Sequence, residues 1–125
     1  MNANTLLFRQ INPSFMQAGR VTSQAFHPTP KDKDLLSAYD GDLIGPEAAW
    51  THYTLHLGLR SVGVLAVMIA ECDEQGVPCR PAPDLFPEHA VIDFTSKTKR
   101  EKKEAANRLR DHAARRDWLF EAAPT

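Results

Sequence analysis

Four side chains of this sequence could act together on an anionic substrate: Arg9, Ser23, His27 and His89. An arginine within the otherwise apolar run TLLFRQI is costly to bury unless an anion or a carboxylate faces it. Ser23 lies in the segment TSQAF, His27 follows that segment directly, and His89 precedes the apolar run AVIDF. Arginine, serine and histidine that converge at strand ends can hold a phosphate or a nucleotide, so we take these residues as candidates for a catalytic pocket.

The order of an early arginine and a later serine-bearing segment resembles that of some ADP-ribosyltransferase and RES-type toxin folds. This resemblance implies an enzyme that acts on a nucleotide or a nucleic acid. The sequence departs from the pattern because it has no glutamate at the expected third position and no glycine-rich phosphate loop. The alternative is structural: Arg9 pairs with an acidic residue, Asp93 or Glu88, and the remaining polar residues are unrelated.

A second group of candidate residues lies in a basic segment near the C-terminus. Residues 97–116 contain nine lysines and arginines and three acidic residues, which gives this segment a net charge of +6. The whole chain has a net charge of −1, so the remainder has −7. The asymmetry predicts a partner-binding surface on the basic segment and the apolar residues after it, formed by Lys99, Arg100, Lys103, Arg110, Arg115, Trp118 and Phe120.

The basic segment has three interpretations. Closely spaced cations could bind a nucleic acid, because contacts to backbone phosphates dominate the affinity of such complexes. A protein partner could bind the same surface. The cations could also form a solvated helix face that pairs with Glu101, Glu104 and Asp111, or with the acidic body of the same chain.

Metal and thiol chemistry find little support in the sequence. His52 and His56 are four residues apart and would share a helix face, but zinc needs at least a third ligand. Residue 53 is tyrosine, so the protease motif H-E-x-x-H is absent. Cys72 and Cys79 form no C-x-x-C motif. We therefore predict neither a metal site nor a cofactor.

Apolar and alternating runs predict the strands that must position these residues. Such runs cover residues 5–11, 35–43, 61–70 and 90–94, and residues 21–26 could form either a strand or an ordered loop. The first run ends at an Asn-Pro pair, because proline removes a backbone donor and restricts the residue before it.

Two helices are predicted between and after these strands. The first follows Gly45, has proline at its first position, and ends at Gly58. The second begins at a capping box formed by Thr98 and Glu101 and covers about residues 98–118. The chain of 125 residues is therefore expected to form a single α+β domain with a small mixed sheet and two main helices packed against it.

These features favour a small cytosolic accessory or regulatory protein, of an antitoxin-like, immunity-like or subunit-like bacterial type, that binds another macromolecule. We expect a protein partner, and we keep two alternatives: an enzyme that processes a nucleotide or nucleic acid in an Arg/Ser/His pocket, and nucleic-acid binding through the basic helix. The N-terminus lacks a secretory signal, and no apolar run is long enough to span a membrane, so a cytoplasmic location without membrane contact is expected.

Overall fold

The apolar run near the N-terminus forms the central strand of a six-stranded sheet. The structure is a computed structural model that describes residues 1–123. The strands of this sheet are β1 (Leu6–Gln10), β4 (Leu35–Asp40), β5 (Gly63–Met68), β6 (Cys79–Pro81), β7 (His89–Asp93) and β8 (Phe120–Glu121). Their order is β6-β7-β4-β1-β5-β8. A separate hairpin contains β2 (Met16–Gln17) and β3 (Arg20–Val21).

The predicted α+β class is confirmed, but the sheet is antiparallel where we expected a mixed one. Every pair of neighbouring strands runs in opposite directions. β4 and β5 run parallel to each other, yet they do not pair, because β1 lies between them. The connection that contains the first helix therefore joins two strands on either side of the central one, instead of a parallel neighbouring pair.

The helices are α1 (Pro46–Thr51), α2 (Ile69–Glu74) and α3 (Lys99–Arg116), and α1 continues into a π-helical turn, His52–His56. The capping box of α3 is present: the N–H of Glu101 donates to the hydroxyl of Thr98 at 3.2 Å. The reciprocal bond runs from the N–H of Thr98 to the carboxylate of Glu101 at 2.8 Å. The predicted bounds of this helix, 98–118, are confirmed within two residues at each end.

The two faces of the sheet carry separate apolar clusters. α3 buries Ala105, Ala106, Leu109 and Ala113 against the face that includes Leu7, Ile11, Leu65 and Ile92. α1 and its π-helical turn cover the opposite face, where the cluster contains Phe8, Tyr39, Ala49, Val64 and Ala66. Alternation of side chains along β1 explains the division, because Leu7 and Phe8 must point to opposite faces.

Val21 ends β3, and the rest of the segment 21–26 forms an ordered turn, which was one of the two predicted alternatives. Ser23–Phe26 is a 3-10 turn that buries Ala25 and Phe26 and packs between α3 and β1. No helix among the described residues is long and apolar enough to cross a membrane.

Candidate functional site

A cleft opens where strands β1 and β4 separate. The two strands pair only at Leu7 with Asp40 and at Phe8 with Tyr39, although both strands continue beyond these residues. The cleft has a volume of about 660 Å³ and is bounded by both strands, the Ser23–Phe26 turn and the loop before β7. This volume lies within the range of small-molecule sites.

The structure brings together the four residues that the sequence analysis singled out. Arg9 lies on β1, Ser23 begins the 3-10 turn, His27 follows that turn and His89 begins β7, and all four line the cleft. The Nδ1 of His27 lies 2.7 Å from the carbonyl oxygen of Pro28, which can only accept a hydrogen bond. The Nδ1 of His27 is therefore the donor in this contact.

Arg9 is held by two backbone carbonyl groups. Its Nε donates to the carbonyl oxygen of Ala25 at 2.8 Å, and its Nη1 donates to that of Ser37 at 2.7 Å. Burial lowers the pKa of Arg9 to about 10, with the nearby Tyr53 and Asp32 opposing that effect, so the guanidinium stays charged at neutral pH. Two carbonyl acceptors leave other N–H groups of this fork available to a ligand.

Arg9 does not have the carboxylate partner that we expected. Asp93 pairs instead with Arg80, whose Nη1 lies 2.8 Å from Oδ2 of Asp93. Strand β4 separates β1 from β7, which keeps Asp93 and Glu88 away from Arg9. Among residues 1–123, no carboxylate oxygen lies within 4.0 Å of the Arg9 guanidinium.

Aromatic rings form one side of the cleft. The rings of Tyr39 and Phe86 lie 5.0 Å apart, and those of Phe86 and His89 lie 5.1 Å apart. Behind them, the hydroxyl of Tyr39 lies 2.7 Å from Nδ1 of His52. Burial, reinforced by the charges of Tyr53 and Glu88, holds the pKa of Tyr39 well above its usual range, so Tyr39 stays protonated.

Ser37 and His89 form a hydrogen-bonded pair that the sequence analysis missed. The Nδ1 of His89 lies 2.8 Å from the carbonyl oxygen of Ala82, and its Nε2 lies 3.1 Å from Oγ of Ser37. Because a carbonyl cannot donate, Nδ1 carries the hydrogen, and in the neutral ring Nε2 accepts from the serine hydroxyl. The sequence feature that could have indicated this pair is Ser37, a polar residue after the apolar start of the strand LLSAYD. Its partner lies on β7, far along the chain, where no local pattern connects the two residues.

Gln10 is a second residue that the sequence analysis missed. This glutamine lines the cleft and is only 5% exposed. Neither its side-chain oxygen nor its side-chain nitrogen has a hydrogen-bond partner among the described residues. A buried amide without partners is costly, so Gln10 is a polar group of the cleft wall that the described residues leave unsatisfied.

The basic helix places one of its predicted partner-binding residues at the cleft, because Lys103 lines it. Arg100 pairs with Glu104 at 3.3 Å, and Arg110 pairs with Asp111 at 2.7 Å. Lys99 is exposed at the first turn of the helix, and Arg115 bonds to His112 at 3.4 Å near its end. That a partner contacts these residues stays a prediction.

Trp118 and Phe120, the other predicted partner-binding residues, are half-buried against the body of the protein. Phe120 pairs with Val64 in the sheet, and its ring lies 5.2 Å from that of Trp50. Trp118 packs against the cluster under α3. Their contact with a partner also stays a prediction.

The two histidines of the π-helical turn lie outside this cleft. The rings of His52 and His56 stack with centroids 5.7 Å apart. Within the part of the chain that the structure describes, no group of three or more His, Cys, Asp or Glu side chains is arranged to hold a metal ion.

No protein-family model, no curated protein and no solved structure matches this chain. The function is therefore argued from the geometry of the cleft.

Proposed function

We propose that the cleft between β1 and β4 binds a nucleotide. The observation that carries this proposal is Arg9, a half-buried guanidinium with no carboxylate partner among the described residues and with N–H groups left for an anion. A charge in such a position is stabilised by an anionic ligand, and a guanidinium matches the geometry of phosphate.

The rest of the cleft supports a ligand that combines an anion with a flat ring. Lys103 adds a second cation to the lining, against one carboxylate from Asp32. The aromatic side chains that line the cleft are Phe8, Phe15, Tyr39, Tyr53 and Phe86. Aromatic side chains stack on nucleobases with little dependence on the base, while the cations attract the phosphate.

Isothermal titration calorimetry with AMP, ADP, ATP, adenosine and ribose 5-phosphate tests this proposal. We expect nucleotides to bind more tightly than adenosine or ribose 5-phosphate, because each of these offers only one of the two recognised groups. The variant Arg9→Met should weaken nucleotide binding at least about tenfold, since a hydrogen bond to a charged group contributes about 1.5–3 kcal/mol.

Arg108→Met is the matched control. Arg108 is exposed on α3 and does not line the cleft, so its loss should leave nucleotide affinity within about twofold. Equal weakening by both variants would show that binding depends only on net charge. The absence of heat with every nucleotide would reject the proposal.

A second proposal keeps the expectation of a macromolecular partner, and the apolar rim of the cleft favours it. Leu57, Leu59 and Leu85 line the cleft and are 43%, 48% and 74% exposed. Clustered exposed leucines are typical of interaction surfaces. The proposed setting is the cytoplasm, with which the free thiols of Cys72 and Cys79 agree.

Co-purification from the native source, with the wild type and the variant Leu57→Ser/Leu59→Ser/Leu85→Ser, tests the second proposal. A protein that the wild type retains and the variant loses would support it. Retention of the same proteins by both forms would contradict a role for the rim. Substitution of Lys99 and Arg100 by serine in a parallel variant tests the basic helix in the same way.

A further inference from the structure

We propose that Ser37 is a nucleophile activated by His89, and that the pair transfers a phosphoryl group from a substrate bound in the cleft. This inference concerns an activity, whereas the proposal above concerns binding. It depends on the Ser37–His89 geometry and not on which ligand carries the phosphate.

The position of Ser37 is unusual for a residue in the interior of a sheet. β4 has β1 on one side and β7 on the other, yet Ser37 is exposed between buried Leu36 and Ala38. Ser37 lines the cleft, which is the space that exposes it. A hydroxyl on a rigid strand, open to a cleft and bonded to an imidazole, has the arrangement that a serine nucleophile requires.

His89 is oriented for proton transfer. Its ring is fixed by the bond from Nδ1 to the carbonyl oxygen of Ala82 at 2.8 Å, which leaves Nε2 facing Oγ of Ser37 at 3.1 Å. His89 is 7% exposed, and its ring is packed against Phe86, which restricts its rotation. The hydroxyl of Ser37 is therefore hydrogen-bonded to His89, and His89 is hydrogen-bonded to the carbonyl of Ala82. Acid–base catalysis requires such a series of nucleophile, base and orienting acceptor.

Arg9 supplies positive charge at the same residue. Its Nη1 donates to the backbone oxygen of Ser37 at 2.7 Å, so the guanidinium lies next to the backbone of the residue that would attack. Phosphoryl transfer places negative charge on the non-bridging oxygens of phosphorus, and a fixed guanidinium stabilises that charge. The cation is the reason to infer a phosphoryl group and not a neutral acyl group as the electrophile.

The transfer step is balanced within these residues and water. Oγ of Ser37 attacks phosphorus, its proton passes to Nε2 of His89, and the bond from phosphorus to the leaving oxygen breaks. The leaving oxygen then takes the proton from Nε2. In the second half, water attacks the phosphoserine with Nε2 as base, and the bond from Oγ to phosphorus breaks with return of a proton to Oγ.

Labelling with a fluorophosphonate, followed by peptide mass spectrometry, tests the pair without knowledge of the substrate. Attack by Oγ forms an oxygen–phosphorus bond and expels fluoride, which leaves a stable adduct. We expect Ser37 to be labelled at least about 100-fold faster than Ser96, an exposed serine away from the cleft in the same molecule. The variant Ser37→Ala should lose the adduct, and Ser96→Ala should keep the wild-type rate at Ser37.

His89→Gln separates activation from mere exposure. We expect this variant to be labelled about 100-fold more slowly at Ser37, with an unchanged circular dichroism spectrum. If the variant does not fold, the ratio of Ser37 to Ser96 labelling in the wild type decides the question. Equal rates at the two serines, or a rate at Ser37 that is unaffected in a folded His89→Gln protein, would overturn the proposal.

The two proposals can fail separately. Nucleotide binding without serine labelling would leave the cleft as a binding site and reject the activity. Labelling at Ser37 without nucleotide binding would support Ser37 as an activated nucleophile and reject a nucleotide as its substrate.

Discussion

At the scale of single residues, β1 carries two neighbouring polar side chains that lack the partners such groups usually have in a folded protein. Arg9 has carbonyl partners but no carboxylate among the described residues, and Gln10 has a buried amide without partners in the same range. Each group is costly in the free protein, and this cost agrees with the binding that we propose for the cleft.

Replacement of Gln10 by methionine should stabilise the free protein. Methionine has a similar volume and no group that needs a hydrogen bond, so the change removes the cost of a buried amide. We expect the free energy of unfolding in urea to rise by about 1 kcal/mol. The control Gln17→Met, at an exposed position of β2, should change it by less than about 0.5 kcal/mol. A loss of stability in Gln10→Met would mean that the amide has a partner.

Asp93 should control part of the response to acid. Hydrogen bonds from Thr95 and Arg80 lower its pKa from 3.8 to about 2. The folded state therefore binds fewer protons than the unfolded state in this range, so the contribution to stability is complete above about pH 4 and is lost as the pH falls towards 2. Urea titrations of Asp93→Asn should show a flatter fall of unfolding free energy between about pH 4 and pH 2 than the wild type. Parallel curves would contradict this role.

The residues of the cleft show what a single sequence can and cannot reveal. Arg9 stood out because a charge is rare inside an apolar run. The predicted pairing of Arg9 with Asp93 or Glu88 was wrong, because it assumed that β1 and β7 are neighbours. Ser37 was missed because its importance comes from His89, a contact that no local pattern encodes.

At the scale of elements, α3 and α2 are joined by an ion pair with two parallel bonds. Nη1 and Nη2 of Arg116 lie 3.1 Å and 2.9 Å from Oε1 and Oε2 of Glu71. Burial would raise the pKa of Glu71, but hydrogen bonds from Arg116 and from the N–H of Met68 outweigh it, so the pKa lies below its usual range. The pair therefore fixes the end of α3 against the start of α2.

Arg116→Met should destabilise the protein by about 2 kcal/mol, because Glu71 is left in a half-buried position without its main partner. Arg116→Lys should recover only part of this loss, since an ammonium cannot form two parallel bonds. The control Arg100→Met removes a fully solvated pair on the same helix and should change the unfolding free energy by less than about 0.5 kcal/mol. Equal effects of Arg116→Met and Arg100→Met would exclude this role.

Elements with local signals were predicted, and those without them were not. The capping box at Thr98 located the start of α3, because both of its hydrogen bonds are made within four residues. α2 was missed because the run SVGVLAVMIA is apolar throughout and has the pattern of one buried strand. The strand ends at Met68, whose N–H donates to Oε1 of Glu71 at 2.7 Å. This hydrogen bond caps the start of α2.

At the scale of the whole molecule, the order of strands depends on contacts between distant parts of the chain. β1 pairs with β4 and β5, and β5 pairs with the last strand, β8. The sequence indicated the α+β class from the succession of elements, but hydrophobic patterns do not identify partners across such separations. The same long-range order opens the cleft, so the sequence indicated four of the lining residues but not the gap between β1 and β4 that they surround.

A substitution at Gly63 tests how closely β8 and the residues before it pack against β5. A Cβ added there would lie 2.5 Å from the carbonyl oxygen of Phe120 and 2.9 Å from Cε3 of Trp118. Gly63→Ala should therefore displace β8, with a loss of about 2 kcal/mol in unfolding free energy and a changed tryptophan emission spectrum. Gly45→Ser is the control, because no atom lies within 4 Å of the added Cβ. A spectrum unchanged by Gly63→Ala would contradict this close packing.

The bond from Arg116 to strand β5 also bears on the solubility of the protein. β8 pairs with only the first two residues of β5. Further along the same outer edge, Nη1 of Arg116 donates a hydrogen bond to the carbonyl oxygen of Ala66 at 2.9 Å. Unpaired carbonyl and N–H groups on an outer strand recruit strands from other molecules, and a bulky cation blocks such pairing. Loss of Arg116 should thus promote aggregation that depends on concentration, even at temperatures where the monomer stays folded.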